Sequence, residues 1–441
     1  MTRPRSSAES SIPLSRAGAL VALSLSTALA SLQSREGGLL ALVRRDVASG
    51  PCTRIGLPAS VSATSAAMWN GALIHCADYD DTHQAAVVHP SAAVLPAALA
   101  AAELASATVG DLLTAYALGC ETLIRLALSA PGDFHRQGFH ATGICGPVGA
   151  AVAAGLLSGD EESTIRSACG IAATVGAGSF EYINSGGNSK IIYPGVAARA
   201  GVESLDLARA GFLPPSQAIE GRYGLVRAHT SKEVVLGDAL ITLHDSAPKD
   251  GWRFVETAVK SYPCCYFSQV FLDATAKLAR TIDLSVVDCI ECMGPPEMIA
   301  PIFEPREARI QPNDSYEAKF ALPYQIAAML NDGNVGMSTF TPSAIANASA
   351  LKLAAKVRPH PSGELGTYPE VMAGRVSAFS GGHLVGAVQL EASIGAEPWD
   401  LDSAFVVDRM TRDIGNRGSP LREVLGDPYA PIRALSDLLR L

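Results

Sequence analysis

The stretch His75-Cys76-Ala77-Asp78-Tyr79-Asp80-Asp81-Thr82-His83, followed by His89-Pro90-Ser91, places three histidines and three aspartates within 15 residues of an otherwise apolar chain. Polar groups at that density are costly to bury without partners, so they are either solvated or organised around a ligand. A surface loop with capping aspartates is the plainer alternative. The strongly apolar segments on both sides favour an organised site. Three further segments carry chemistry. His135-Arg136-Gln137-Gly138-Phe139-His140-Ala141-Thr142-Gly143 runs into a helical pattern, and backbone N–H groups at a helix start offer a seat for a carboxylate that His140 could share. Gly186-Gly187-Asn188-Ser189-Lys190 sets a lysine after a glycine turn, and Lys260-Ser261-Tyr262-Pro263-Cys264-Cys265 sets one before an apolar and thiol run. A partly desolvated lysine pairs well with an anion. Each of these has an ordinary reading as a capped loop or a solvated charge.

The elements that must hold these segments are mostly helical. Over the first 250 residues, Ala, Leu and Gly recur at helical spacing. His89-Pro90-Ser91 opens a helix to about Leu104, and Thr108 with Asp111 forms a capping box for a helix to Leu128. Gly146–Leu157 and Glu161–Val175 read as two more. Small residues at this density let helices approach closely, which points to a bundle. The texture changes near residue 250. Asp283–Met293 alternates as a strand, and Val371–Phe379 with His383–Leu390 flank Ser380-Gly381-Gly382 as a hairpin. Helices are expected between them at Val270–Arg280, Ala318–Leu330 and Pro342–Val357, and helix again from Asp402 to Leu441. The fold expected is mainly α: a large all-helical domain from residues 1–256 and 396–441, with a smaller α+β domain over 257–395.

Composition narrows the function classes. With 441 residues, 48% of them apolar and 17% charged, the chain can bury a large core. A net charge of −9 with no run of Lys or Arg argues against nucleic acid as a partner. Nine scattered cysteines suit a reducing compartment, and Cys289-x-x-Cys292 reads as structural thiols. A cytoplasmic location is expected. Arg3, Arg5 and Arg16 precede the apolar stretch Ala17–Leu32, where Ala28-Leu29-Ala30 has the look of a cleavage site; the favoured reading is a core helix. No other stretch reads as a membrane span.

Taken in order, these segments resemble the MmgE/PrpD family. The matching residues are Asn70-Gly71, the His75–Thr82 cluster, His89-Pro90-Ser91, Ala102-Glu103, Gly138-Phe139-His140 with Thr142-Gly143, and Gly195-x-Ala197-Ala198-Arg199. Ala210-Gly211-Phe212, Glu220-Gly221, Tyr262-Pro263-Cys264-Cys265 and Ala318-Lys319-Phe320-Ala321-Leu322-Pro323-Tyr324 continue the series over roughly residues 35 to 345. The family includes 2-methylcitrate dehydratase, cis-aconitate decarboxylase and iminodisuccinate epimerase. The resemblance implies a helical domain, a lid-like α+β domain, a cleft between them, a homodimer, and no metal or organic cofactor. It implies a cleft lined by Asp78, Thr82, His89, His140, Lys190, Lys260 and Tyr324. Two departures stand out: Cys265 and Gln269 occupy positions where family members often carry a His, and Glu397-Pro398-Trp399 lacks the expected basic-Gly-Pro pattern. The chain ahead of Arg35 is also shorter than the resemblance leads one to expect.

The activity expected is therefore a lyase on a small polycarboxylate. Lys190 and Lys260 would neutralise the acid, His89 and His140 would serve as acid and base, and Asp78 and Thr82 would orient an imidazole or bind substrate. Dehydration is placed slightly ahead of decarboxylation, with epimerisation third. Two rivals are a metal-dependent hydrolase using His75, Asp78, Asp81, His83 or His89 as ligands, and a non-catalytic paralogue.

Overall fold

A computed structural model describes residues 11–43, 49–234 and 240–440. Helices dominate, and they pack around one extensive apolar cluster that runs from Ile12 to Val259 and takes in Leu401–Leu439 from the far end of the chain. The first helix, Leu14–Ser31, is buried along nearly its whole length and packs on Ala404–Ile414 of the tail. By length and composition it is apolar enough to cross a membrane, and so is Ala141–Ser158, contrary to the expectation of no further span-like stretch. Both are core helices here, with 83% and 94% of their residues buried within the protein. Ala141–Ser158 starts five residues before the expected Gly146 because its first turn carries few of the large apolar side chains that betray a periodicity. Arg3 and Arg5 lie outside the described residues.

Small residues set the helix crossings. A side chain at Gly71 would strike the Gly195 backbone at 2.7 Å, and one at Gly195 would strike the Met68 carbonyl at 2.1 Å. The two motif glycines thus let helix Ala63–His75 lie directly against Tyr193–Arg209. The capping box forms as expected: Thr108 Oγ1 accepts from the Asp111 N–H at 3.2 Å, and Asp111 Oδ2 accepts from the Thr108 N–H at 3.0 Å.

A second apolar cluster spans Ala258 to Ala378 and reaches into the first through Ala72, Cys76 and Ile191. It surrounds a four-stranded sheet. The strands are β1 (Ser49–Thr53) and β2 (Ser60–Val61), a small separate ribbon, then β3 (Cys289–Gly294), β4 (Val357–Pro361), β5 (Gly374–Ser380) and β6 (His383–Leu390), ordered β4-β3-β5-β6. β5 and β6 form the expected hairpin, with Gly381 and Gly382 both at positive φ as a two-residue turn requires. Two expectations fail here. Asp283–Val287 is no strand, since Leu284–Val286 coils into a 3-10 turn nucleated by the Asp283 side chain. Pro342–Val357 is not one helix: it breaks at Asn347, which caps a new helix Ala348–Ala354, and Val357 begins β4. β4 pairs parallel to β3 at the sheet edge, where its two prolines cost no ladder hydrogen bond.

Candidate functional site

Asp78 occupies the centre of a buried charge cluster. Helix Ala63–His75 ends just before it, and Asp78 takes a left-handed conformation, φ 51°, which Asp tolerates better than most residues. Its carboxylate is held by the ammonium groups of Lys190 and, at 3.2 Å, Lys260. Lys260 also donates to the Asp78 carbonyl at 2.8 Å. Burial pushes the Asp78 carboxyl up, but the two lysines overcome it and hold the group well below the usual carboxylate range. Burial likewise pulls Lys260 down, and Asp78 and Asp80 more than restore it. Lys190 sits 5.8 Å from the Tyr182 ring centroid and 5.5 Å from that of Phe320, within cation–π range.

Beside this cluster stand three buried imidazoles. His75 and His89 lie 4.7 Å apart between ring centroids, and His140 lies 6.0 Å from each. His89 Nδ1 is 2.9 Å from the Asp81 carbonyl and 3.2 Å from Thr82 Oγ1. A carbonyl can only accept, so the proton resides on Nδ1 and Nε2 is left as the basic nitrogen. The His89 N–H donates to Thr142 Oγ1 at 3.0 Å, which fixes the residue to the start of the Ala141 helix. His75 Nδ1 is 2.7 Å from Asp80 Oδ2. Burial first, and Lys190 second, push His140 well below its ordinary range; burial does the same to His89, against the pull of Asp80. Burial takes His135 down to about 3. Burial thus favours the neutral form of each of these imidazoles.

Pro147 explains how His140 is placed. It lies inside helix Ala141–Ser158 and has no N–H to give the carbonyl four residues back. That freed Gly143 carbonyl instead accepts from the Ala177 N–H at 3.2 Å, and the next residue, Gly178, accepts from the His140 N–H at 2.9 Å. The loop so docked carries Phe180 and Tyr182 to the site.

A cavity of about 70 Å³ opens onto Asp78, Thr82, His89, His140, Lys190 and Lys260, six of the seven residues singled out in the sequence. Tyr324 does not line it; its hydroxyl donates to the Thr339 carbonyl at 2.6 Å, one helical turn beyond Phe320, which does line it. The remaining wall includes Phe180, Tyr182, Ile183, Tyr266, Phe267, Tyr368 and Met372. Of the two positions where a His was expected, Cys265 faces the cavity with its thiol pushed by burial up to about 11. Gln269 does not face it. Its amide oxygen accepts from the N–H groups of Ser261 and Tyr262 at 2.9 and 3.1 Å, and its amide nitrogen donates to the Tyr262 carbonyl at 3.0 Å, so it pins the loop after Lys260.

Asp81 and His83 turn away from the cavity. Asp81 accepts from the hydroxyl and N–H of Ser91, and burial pushes its carboxyl up to about 7. His83 Nδ1 accepts from the Ala86 N–H, and its Nε2 faces Glu256. Among the described residues, ligand atoms of His75, His89 and His140 lie within 4.8 Å of one another, as do those of His75, Asp78 and Asp80. Either trio is compact enough for a metal ion. Lys190 and Lys260 already neutralise Asp78, however, and the Lys190 charge that adds to burial in depressing His140 would also oppose a dication.

One residue outside every motif holds the site together. Arg409, 1% exposed, comes from helix Ala404–Ile414. It donates to the Lys260 and Tyr79 carbonyls at 2.8 Å each and to Thr27 Oγ1 at 2.6 Å, and its guanidinium stacks 3.6 Å from the Tyr79 ring centroid. Thr82 and Ala258 add reciprocal backbone bonds of 2.8 Å between the same two loops. Its signal in the sequence is an arginine set among Val406 and Met410 on the apolar face of a helix.

Comparison with known proteins identifies the family. The MmgE/PrpD N-terminal domain matches residues 13–235, and the MmgE/PrpD C-terminal domain matches residues 262–402. A cis-aconitate decarboxylase from Aspergillus terreus is 30% identical over 250 residues, 52% of this chain and 48% of that protein. The human cis-aconitate decarboxylase is 28% identical over 310 residues, 67% of this chain and 60% of that protein. A cis-aconitate decarboxylase-like protein from Aspergillus oryzae is 33% identical over 183 residues, 40% and 38% respectively. The chain thus spans from about two fifths to three fifths of the length of these relatives. With both domain models matched in order over most of its length, the chain belongs to the MmgE/PrpD family.

Proposed function

We propose that this chain is a lyase acting on a small di- or tricarboxylic acid without a cofactor, with decarboxylation the favoured reaction. The observation that carries this reading is the pair of buried lysines bracketing Asp78 at the wall of a cavity that also presents the imidazoles of His89, His135 and His140. Two ammonium groups converge on one carboxylate in the wall, with Asp80 behind it, and so aim cationic donors into a cavity that largely excludes water, a seat for an anion. The names of the relatives favour decarboxylation over dehydration.

The chemistry follows from that charge balance. When the C–C bond to a carboxylate breaks, its electron pair stays on carbon and CO₂ leaves. In an unsaturated acid the pair delocalises through the double bond into a remaining carboxylate, where Lys190 and Lys260 stabilise it. An imidazolium N–H then protonates carbon. Burial first and Lys190 after it disfavour protonation of His89 and His140, and an anion beside Lys190 offsets the second of these causes. Substrate binding therefore raises the basicity of the groups that must carry the proton. The same reading takes the residues around the four-stranded sheet, which contribute Tyr266, Phe267, Tyr368 and Met372 to the wall, as a lid-like unit over the cavity.

The test is an NMR assay in deuterated buffer with EDTA, against cis-aconitate, 2-methylcitrate, citrate and iminodisuccinate. Release of CO₂ with one deuteron gained at carbon supports decarboxylation. Loss of water instead moves the assignment to a dehydratase, and exchange without net loss moves it to an epimerase. Silence across the whole panel, and with an alkyl-substituted unsaturated dicarboxylate added to it, refutes the reading.

A further inference from the structure

The two ends of the cavity differ in chemistry. Five of its polar groups, Asp78, Thr82, His140, Lys190 and Lys260, are at least 95% buried, and the His89 side chain beside them is 12% exposed. Its rim is formed by Val87, Phe180, Ile183, Phe267, Pro301 and Tyr368, each partly exposed. Phe267 and Tyr368 meet edge to face at 5.3 Å between centroids, so this part of the rim is a packed apolar wall. The polar side chains beside it are Gln84, whose amide donates to the Pro369 carbonyl at 3.1 Å, and His135, which burial keeps neutral.

We propose that the acid bound here carries an apolar substituent: a dicarboxylate head on Lys190 and Lys260, with a hydrocarbon group running out through that rim. This rests on the acid-binding reading above and narrows it. The described lining residues include two lysines and no arginine, and Asp78 cancels one of the two charges. A third carboxylate would have to lie against the aromatic rim without a cation, where an ionised group is expensive to desolvate. Partly exposed aromatic and aliphatic side chains around a pocket mouth gain most when a ligand covers them.

Isothermal titration calorimetry of the whole chain with succinate, 2-butylsuccinate and tricarballylate tests this. Each methylene buried contributes up to about fourfold in affinity. The butyl compound should bind at least roughly tenfold tighter than succinate, with a more negative heat-capacity change, and tricarballylate should bind no tighter than succinate. Ile183→Ser and Phe267→Ser should each move the butyl-to-succinate ratio toward one. Succinate binding as tightly as 2-butylsuccinate, or tricarballylate binding tightest, overturns the apolar-tail proposal and leaves the acid site standing. Binding of none of the three overturns both.

Discussion

Acid should unfold this protein early, and the slope can be worked from the site. His75, His89 and His140 are enclosed, and burial holds all three below their ordinary pKa; His135 is also held neutral, at about 3. Unfolded, each titrates near about 6.5. Because the folded pKa is the lower one, the stability these groups contribute is present above about pH 6.5 and is lost as the pH falls below it. Asp81 runs the other way. Burial raises its carboxyl to about 7, so between roughly pH 4, its unfolded pKa, and pH 7 the folded state holds one proton the unfolded state does not. The imidazoles take up protons on unfolding, whereas Asp81, and Asp273 and Asp413 whose carboxyls burial also raises, give them up. Each proton of net uptake lowers stability by about 1.4 kcal/mol per pH unit below about pH 6, against a total on the order of 5–15 kcal/mol. Urea unfolding midpoints at pH 7.5, 6.5, 6.0 and 5.5 measure this directly. His140→Gln should lower the slope by about one proton. A saturating dicarboxylate should flatten it further, because an anion beside Lys190 restores the imidazoles. A midpoint unchanged from pH 7 to 5.5 at constant m-value would refute the assignment of neutral buried imidazoles.

Arg409→Ala removes a buried guanidinium that bridges the Tyr79 and Lys260 loops and takes its donors from the Lys260 carbonyl, the Tyr79 carbonyl and Thr27 Oγ1. It should cost about 3–5 kcal/mol in denaturant unfolding and lower kcat, while Arg409→Lys, which cannot fork to three acceptors, should restore only part of either. Lys190→Met should reduce turnover by about 10²–10³-fold, as loss of one oriented donor to a developing anion typically does, with far-ultraviolet circular dichroism unchanged; full activity would remove Lys190 from the mechanism. Dialysis against a strong chelator should leave activity intact, and a metal-dependent loss restored by zinc would instead make the His75, His89 and His140 trio a working metal site.

Much of the site was legible because its residues fall in short ordered segments, yet those segments mix two kinds of residue. Asn70, in the Asn70-Gly71 pair, accepts from the Ile55 N–H and donates to the Thr53 carbonyl, anchoring the β1–β2 ribbon. Glu103 accepts from the Thr53 N–H and from Ser436 Oγ, tying the ribbon and the C-terminal helix to the bundle. Both are structural, although they stand in the same series as Asp78 and His140. Tyr324 was singled out from a segment whose cavity-facing member is Phe320, because a 3-10 turn at Glu317–Phe320 precedes the helix and sets which residues face inward. Tyr182, Ile183, Tyr368 and Met372 lay in loops and short turns with no periodicity to mark them. β4 was hidden by its prolines, which in a central strand would have argued against pairing at all.

The missing imidazole after Tyr262-Pro263 acquires a physical account once the loop is seen. Gln269 makes three hydrogen bonds to the backbone of Ser261 and Tyr262, using both ends of its amide. A neutral histidine has one donor and one acceptor and could not reproduce that set. The loop it steadies carries Lys260, whose carbonyl is held in turn by Arg409 and whose ammonium holds Asp78. Gln269 is therefore a positioning residue, and on the proposed reading the proton chemistry falls to His89 and His140, with Cys265 filling the wall. This makes an asymmetric prediction. Gln269→Leu should loosen the lysine and raise KM for an acid while lowering the unfolding midpoint. Cys265→Ala should alter KM only slightly and leave the pH profile of kcat in place, because a thiol held near 11 is protonated throughout the working range. A pH profile that shifts in Cys265→Ala would instead make that thiol a proton carrier and break the division of labour drawn here.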